Sequence, residues 1–247
     1  MNPVVAHTAA AVVIGNELLS GKIAESNLFE LARTLRALGV RLERALVLPD
    51  EVDVIATEVR WLSRHSDVVF TSGGIGPTHD DVTIEAVARA FEVPVESDPV
   101  TLALILNTYG DRCNDGHRRM ALIPRGAELA TTPDVQWPTV VMKNVWLLPG
   151  VPEIFRMKLS VARAWIRGPQ QFVSRAVFTN MDEADLKPLL EQVVRSHHGV
   201  EVGSYPKWFD PHYKTKVTFD ARESEHVDQA LERFLTLLPS GEPQRVE

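Results

Sequence analysis

The stretch "TSGGIGPTHDD", residues 71–81, holds three glycines, a proline, a histidine and two adjacent aspartates in eleven positions. The apolar run Val68-Val69-Phe70 leads into it, and a helical pattern from Val82 to Phe91 leads out. In an open parallel sheet, ligands sit at such places, beyond the carboxyl end of a strand and at the N-terminus of a helix. The reading of the rest of the chain follows from whether this strand–loop–helix unit recurs.

It does recur. Val4 to Ile14 reads as a buried strand bounded by Gly15, and Leu28, Leu31, Leu35 and Leu38 mark a helix over Ser26–Leu38 closed by Gly39. Arg41 to Leu48 reads as a second strand, and Glu51 to His65 as a helix with Val52, Ile55, Val59 and Leu62 on one face. Asp67 to Thr71 is continuously apolar toward its centre, as strands of parallel sheets are. This alternation predicts an α/β fold with a mostly parallel sheet and right-handed crossovers. Asp98 to Tyr109 is a further helix, and "GDRCNDGHRR" (110–119) a polar connection. Val140–Met142 and Val145–Leu147 read as short strands around Lys143-Asn144, and "LLPGVPEIF" (147–155) repeats the opening theme with Pro152 in a first helical turn.

Gly168-Pro169 marks a boundary, giving an α/β domain over 1–168 and a small α+β domain over 172–247. The second reads as strand Phe172–Thr179, helix Glu183–His197, strands Val200–Ser204 and Lys214–Phe219, and helix Glu223–Leu238. The tail after Pro239 reads as loose.

Bulk properties exclude several function classes. A net charge of −7 over 247 residues argues against a nonspecific grip on nucleic acid, which needs clustered Lys and Arg. One cysteine, Cys113, allows neither a disulfide framework nor a cysteine metal cluster within the chain. No apolar run reaches the roughly 18 residues of a membrane span, and the N-terminus lacks a basic start, so the expectation is a cytoplasmic protein.

The glycine loop matches neither common nucleotide motif. Counting G-x-G-x-x-G from Gly74 places His79 at the last glycine, and no Gly-Lys-Ser/Thr follows. Its composition alone is equally consistent with a turn that needs positive φ. Asp80 and Asp81 tip the balance. A helix start wants one capping acid, and two adjacent acids cannot both cap. The remaining carboxylate opposes an anion unless it holds a divalent cation, which is often bound by one or two carboxylates plus substrate phosphates.

Three more polar loops belong to the same sheet edge: "LPDEV" with Asp50, which also reads as a helix cap, "GNELLSGKIAESN" (15–27) with Glu17, Ser20 and Asn27, and "PGVPE" with Gly150 and Glu153. His79, His117, His197 and His198 show no metal-ligand spacing. Arg118-Arg119 read as a solvated basic pair, and Trp208-Phe209 as loop aromatics.

"TSGGIGPTHDDVTIEAVARAF" (71–91) resembles the signature of the molybdopterin-binding domain shared by MogA/MoaB proteins, the competence-damage protein CinA and the N-terminal half of eukaryotic FAD synthase. "LPDEVDVIATEV" (48–59), "NVWLLPGVPEIFR" (144–156) and "VGSYPKWFDPHYKTKVTFD" (202–220) are similar to the FAD-synthase version in particular. The resemblance implies a three-layer α/β/α domain with a pocket for a pterin or a nucleotide diphosphate. It maps two functional aspartates onto Asp50 and Asp81. In the CinA and FAD-synthase branches it implies metal-dependent pyrophosphatase activity on ADP-ribose or FAD, favoured by cobalt and potassium.

The expected site is therefore Asp50 and Asp81 as catalytic groups. Asp81, Asp80 and Glu17 are expected on a Co2+, Mg2+ or Mn2+ ion. Ser72, Gly73, Gly74, Gly76, Thr78, Ser20, Asn27, Arg118, Gly150 and Glu153 are expected on a nucleotide or pterin substrate. A homo-oligomer, dimer or trimer, is the expected assembly. One departure stands out: Asn16 occupies a position where the family usually has Asp. Neither an amidase nor an adenylyltransferase portion lies within these residues, so neither activity is expected. The competing reading is a molybdopterin- or nucleotide-binding module with little or no turnover.

Overall fold

The computed structural model describes residues 3–247, which divide into a larger unit ending at Pro169 and a smaller one, Gln170–Glu247. In chain order the larger unit contains β1 (Thr8–Ile14), α1 (Asn27–Ala37), β2 (Arg41–Leu48), α2 (Val52–His65), β3 (Val68–Ser72) and α3 (Thr83–Ala90). Next come β4 (Val95–Ser97), α4 (Pro99–Tyr109), the short α5 (Asp115–Arg119), β5 (Leu122–Pro124), β6 (Glu128–Thr132), β7 (Val135–Met142), β8 (Val145–Leu148) and α6 (Pro152–Trp165). The main sheet runs β2-β1-β3-β8-β7-β6. Its first four strands are parallel and its last two antiparallel.

Period-two alternation builds the layers. In β1, Ala9 and Ala11 face one core while Ala10, Val12 and Ile14 face the other. The first core takes Leu31 and Leu35 of α1, Phe155 and Leu159 of α6, and the sheet residues Phe70 and Trp146. The second takes Ile55, Val59 and Leu62 of α2 and Ala86, Val87 and Ala90 of α3. Each helix buries one apolar stripe, so the unit is a three-layer α/β/α sandwich.

The smaller unit contains β9 (Val173–Thr179), α7 (Glu183–Ser196), β10 (Glu201–Pro206), β11 (Thr215–Ala221), α8 (Ser224–Leu237) and β12 (Arg245–Val246). Its sheet, β10-β11-β9-β12, is antiparallel throughout. Val177, Val217, Phe219, Leu186 and Phe234 fill its core.

The structure corrects four sequence expectations. The chain from Val4 to Ile14 is not one strand: Val4–Val5 pairs with Ile166–Arg167 apart from the main sheet, and β1 begins at Thr8. The Asp67 carboxylate draws the His7 and Thr8 N–H groups onto itself at 2.7 and 2.9 Å, which sets that break. The 110–119 connection is helical in part, because Asn114 and His117 form a reciprocal cap that starts α5. Strand β4, between α3 and α4, and strands β5 and β6, between α5 and β7, have no counterpart in the sequence reading. The tail is not loose, since β12 pairs with β9 and Glu247 exchanges two backbone bonds with Ala176.

Candidate functional site

The carboxyl edge of the main sheet carries one cavity of about 860 Å³, lined wholly by the larger unit. Each strand end contributes in turn. Glu17 follows β1, Asp50 follows β2, the glycine loop follows β3, and Gly150 follows β8. Strand β7 runs the other way, so its start reaches the same edge: the register Val140 to Leu147 carries Trp137 and Pro138 to the level of Pro149 and Gly150. Helix α4, the end of α5 and the first turns of α6 supply Thr101, Tyr109, Arg119, Ile154 and Met157.

The glycines answer to packing first. Gly73 lies at φ 103°, and a Cβ there would stand 2.3 Å from the Ile14 carbonyl oxygen. Gly74 lies at φ 68°, and a Cβ there would stand 2.3 Å from the Thr83 hydroxyl. That hydroxyl donates to the Gly73 carbonyl at 2.8 Å, and the Thr83 N–H donates to the Gly74 carbonyl at 2.9 Å. The loop is thus pinned to the start of α3 in a left-handed shape that only glycine adopts without strain. Gly74 and Ile75 both line the cavity, and among the described residues their N–H groups have no protein acceptor. Two successive free N–H groups at a strand end form a small anion cradle.

Neither aspartate of the pair caps α3. The cap position is Val82, without a side-chain bond. Asp81 instead folds back on the loop. Its Oδ1 accepts the Gly76 N–H at 2.7 Å, and its Oδ2 accepts the Thr78 N–H at 2.8 Å and the Thr78 hydroxyl at 2.5 Å. Arg119 donates to the Asp81 carbonyl at 3.0 Å, tying α5 to the same loop. Asp80 is exposed beside His79. The Thr78 hydroxyl, followed by its own backbone N–H, holds the Asp80 carboxyl below its usual value.

Asp50 is not a helix cap either, since α2 is preceded by Glu51 without a side-chain bond. The Asp50 Oδ2 accepts the Asn16 N–H at 2.8 Å, fixing the turn Asn16–Leu19 at the cavity mouth. Among the described residues its Oδ1 and the Glu17 carboxylate have no protein partner, and both residues line the cavity. This bond also shows what Asn16 does: its backbone, not its side chain, binds Asp50.

The other expected residues divide into two groups. Asp50, Asp80, Asp81, Glu17, Gly73, Gly74, Gly76 and Gly150 all line the cavity. Ser72, Ser20, Asn27, Thr78, Arg118 and Glu153 do not. Asn27 is buried beneath it, donating to the Ser72 hydroxyl at 3.0 Å and to the Gly150 carbonyl at 2.8 Å, which joins the loops after β3 and β8. Ser20 bonds its own turn, and Glu153 pairs with Arg156 on the surface. Of the Arg118-Arg119 pair, Arg119 is the one at the cavity. The α5 cap decides between them, and nothing in a bare Arg-Arg pair announces it.

Thr101, Trp137 and Lys158 are among the lining residues that the sequence reading did not name. Lys158 is 5% exposed, and its Nζ donates to the Trp137 and Pro138 carbonyls at 2.5 Å each. Burial lowers its pKa from 10.5 to about 8. A signal did exist. Lys158 lies three residues from Phe155 and four from Ala162, which is the buried face of α6.

Residues 10–163 match the family described as probable molybdopterin binding domain. The chain belongs to that family. Residues 171–247 match a second family, described as FAD synthase, middle domain. A crystal structure of the protein CinA from Thermoplasma acidophilum resembles 64% of this chain and 97% of its own, with a TM-score of 0.59 and 30% identity. A protein of Archaeoglobus fulgidus is 33% identical over 92% of this chain and 96% of its own length. A probable FAD synthase of Caenorhabditis elegans is 30% identical over 94% of this chain, which spans 50% of that protein. The chain thus spans about half the length of the FAD synthase relative. No helix among the described residues is long and apolar enough to cross a membrane.

Proposed function

We propose that the larger unit is a metal-dependent pyrophosphatase that splits the diphosphate of a dinucleotide, FAD to FMN and AMP or ADP-ribose to ribose 5-phosphate and AMP. The observation that carries this reading is the pairing of an anion cradle with uncommitted carboxylates in one cavity. The Gly74 and Ile75 N–H groups and Arg119 stand on the positive side, Asp50 and Glu17 on the negative. Carboxylates repel a diphosphate unless a cation lies between them.

The residues fit such an ion in a limited way. Among the described residues no three His, Cys, Asp or Glu side chains converge as a ready-made ligand set. Asp50 through Oδ1 and Glu17 would hold the ion, and the remaining positions fall to phosphate oxygens and water, as with hard divalent cations. Bound there, Co2+, Mg2+ or Mn2+ supplies Lewis-acid polarisation of the phosphoryl oxygens. On this reading Asp81 is not one of the ion's ligands, because both of its oxygens are taken up by Gly76 and Thr78. Its role is to hold Gly76 and Thr78 so that the cradle N–H groups face the substrate. Arg119 donates to equatorial phosphoryl oxygens as charge develops.

The test is AMP release from FAD and ADP-ribose by the whole chain with Co2+, Mn2+ or Mg2+, each with and without K+. Turnover in at least one condition is expected. Absence of AMP in all of them would sink the hydrolase reading. The second reading, a pterin- or nucleotide-binding module, would then stand. It has support in the commitment of both Asp81 oxygens to the loop, which leaves the site one carboxylate fewer for catalysis.

A further inference from the structure

Strand β10 is the outer strand of the smaller sheet and pairs with β11 alone. Bonding in an antiparallel ladder alternates from residue to residue. Ala176 of β9 exchanges both backbone bonds with Glu247, so Val177 turns its own toward Val217 of β11. Lys216 and Thr218 are then the β11 residues that bond Tyr205 and Gly203 of β10. The N–H and C=O groups of Val202 and Ser204 are left pointing away from the sheet, and Pro206, which has no N–H to offer, ends this open edge. Beside the edge, α7 and β10 enclose a groove of about 800 Å³. Leu190, Val194 and Val202 form its apolar part, and Val194 is 46% exposed.

The charged groups of this groove stand in a regular order. Glu183, Lys187, Glu191 and Arg195 recur every four residues along α7, so they form one ridge of alternating sign. Within the chain Glu191 serves both cations, Arg195 at 3.2 Å and Lys187 at 3.8 Å, yet these remain 78% and 75% exposed. Glu183 accepts the Ser204 hydroxyl, which ties the start of α7 to β10. Reversed, the ridge becomes its own complement. When two copies of α7 lie antiparallel, Glu183 meets Arg195 of the other copy and Lys187 meets Glu191 of the other copy. The reciprocal pairs follow by symmetry, and all four share one two-fold axis level with Leu189. That self-matching is the property of an isologous interface. A wholly acidic or wholly basic partner would be repelled by half of the ridge.

We propose that a second copy of this chain docks on this groove, α7 against α7, in a symmetric dimer. The contact covers the apolar strip of Leu190, Val194 and Val202 and brings the open edge of β10 against protein, which is how a sheet edge is protected from indiscriminate pairing. The apolar strip supplies the attraction, while the alternating charges set the antiparallel orientation and make it sensitive to salt. None of the residues lining the cavity of the larger unit belongs to this surface, so the dimer does not depend on what that cavity binds.

The experiment is analytical ultracentrifugation of the whole chain and its variants at low (about 0.05 M) and high (about 0.5 M) salt. The wild type should form a dimer that weakens as salt rises. Arg195→Glu places two like-charged pairs across the axis, so the dissociation constant should rise on the order of tenfold or more. Adding Glu183→Arg to Arg195→Glu returns opposite charges across the axis, and the dimer should return with them. The rescue cannot arise within one chain, because twelve residues of helix hold positions 183 and 195 roughly 18 Å apart. Val194→Glu sets a charge in the apolar strip and should abolish the dimer. All three positions are on the surface, and a circular dichroism melt of each variant checks that it still folds. A wild type that stays monomeric up to about 100 μM would overturn the proposal, as would a trimer, which this two-fold contact cannot build. An Arg195→Glu dimer as tight as the wild type would overturn it too, and so would a loss that the double variant does not restore.

Discussion

The loop after β2 and the loop after β3 each bring an aspartate to the same cavity, and they use it in opposite ways. Asp81 spends both oxygens inside the fold, on three donors of its own loop. Asp50, which lines the cavity, spends one on the Asn16 N–H and leaves the other without a partner among the described residues. A carboxylate that already accepts three hydrogen bonds is a structural brace. One with a free oxygen at a cavity wall can act on what enters. The family signature marks both positions alike, and only the surroundings distinguish them.

The comparison is broken most severely at Gly74. A side chain there meets the Thr83 hydroxyl at 2.3 Å in a left-handed conformation, so Gly74→Val should destabilise the larger unit by at least about 3 kcal/mol. Loss of the cooperative melt of the larger unit is the outcome expected from the structure; a wild-type melting curve would show that the loop yields freely.

Asp50→Asn sharpens the comparison from the other side. Asparagine keeps an acceptor for the Asn16 N–H but loses the charge at the cavity. AMP release should fall on the order of 100-fold, as with removal of charge stabilisation at a metal-assisted site. The melting temperature should move little. Asp81→Asn should do the reverse. It turns one acceptor oxygen into a donor facing loop N–H groups, and should cost about 1–3 kcal/mol of stability. Its effect on turnover should come through a raised KM, since the cradle loosens. If Asp50→Asn unfolds the protein while Asp81→Asn melts normally and loses kcat alone, the two roles are interchanged.

Much of the sandwich was legible because its signals are local. Leucine at three- and four-residue spacing in α1, the continuous apolar run of β3 and Pro152 at the start of α6 each declare an element without reference to distant residues. The convergence of strand-end loops on one edge follows from parallel topology. What could not be read is decided by contacts far along the chain. Asp50 reaches back 34 residues to Asn16, and β12 returns to β9 from Val246 to Val177 and from Arg245 to Phe178. Asp81 misled for a different reason. It bonds only three and five residues away, but a loop brace and a cap demand the same residue type just before a helix.

The smallest expected effect concerns Lys158, the buried cation that pairs with no carboxylate. Burial lowers its pKa to about 8, while in the unfolded chain it titrates near 10.5. Between those values the unfolded chain binds the proton that the folded chain has released, so folding stability rises with pH through this window. Below pH 8 both states are protonated, and the penalty of the buried ammonium is fully present. From pH 7 to pH 9 the wild type should therefore gain about 1 kcal/mol relative to Lys158→Met, which has no such group. Taking the difference between the two proteins cancels every other titrating group they share. For a chain of this size that gain is a rise of roughly 2–4 °C in the melting-temperature difference. A difference that stays flat across the range would mean that the two carbonyls compensate the charge fully. A difference that falls would mean that they overcompensate it, and Lys158 would then hold its proton more tightly when folded than when unfolded.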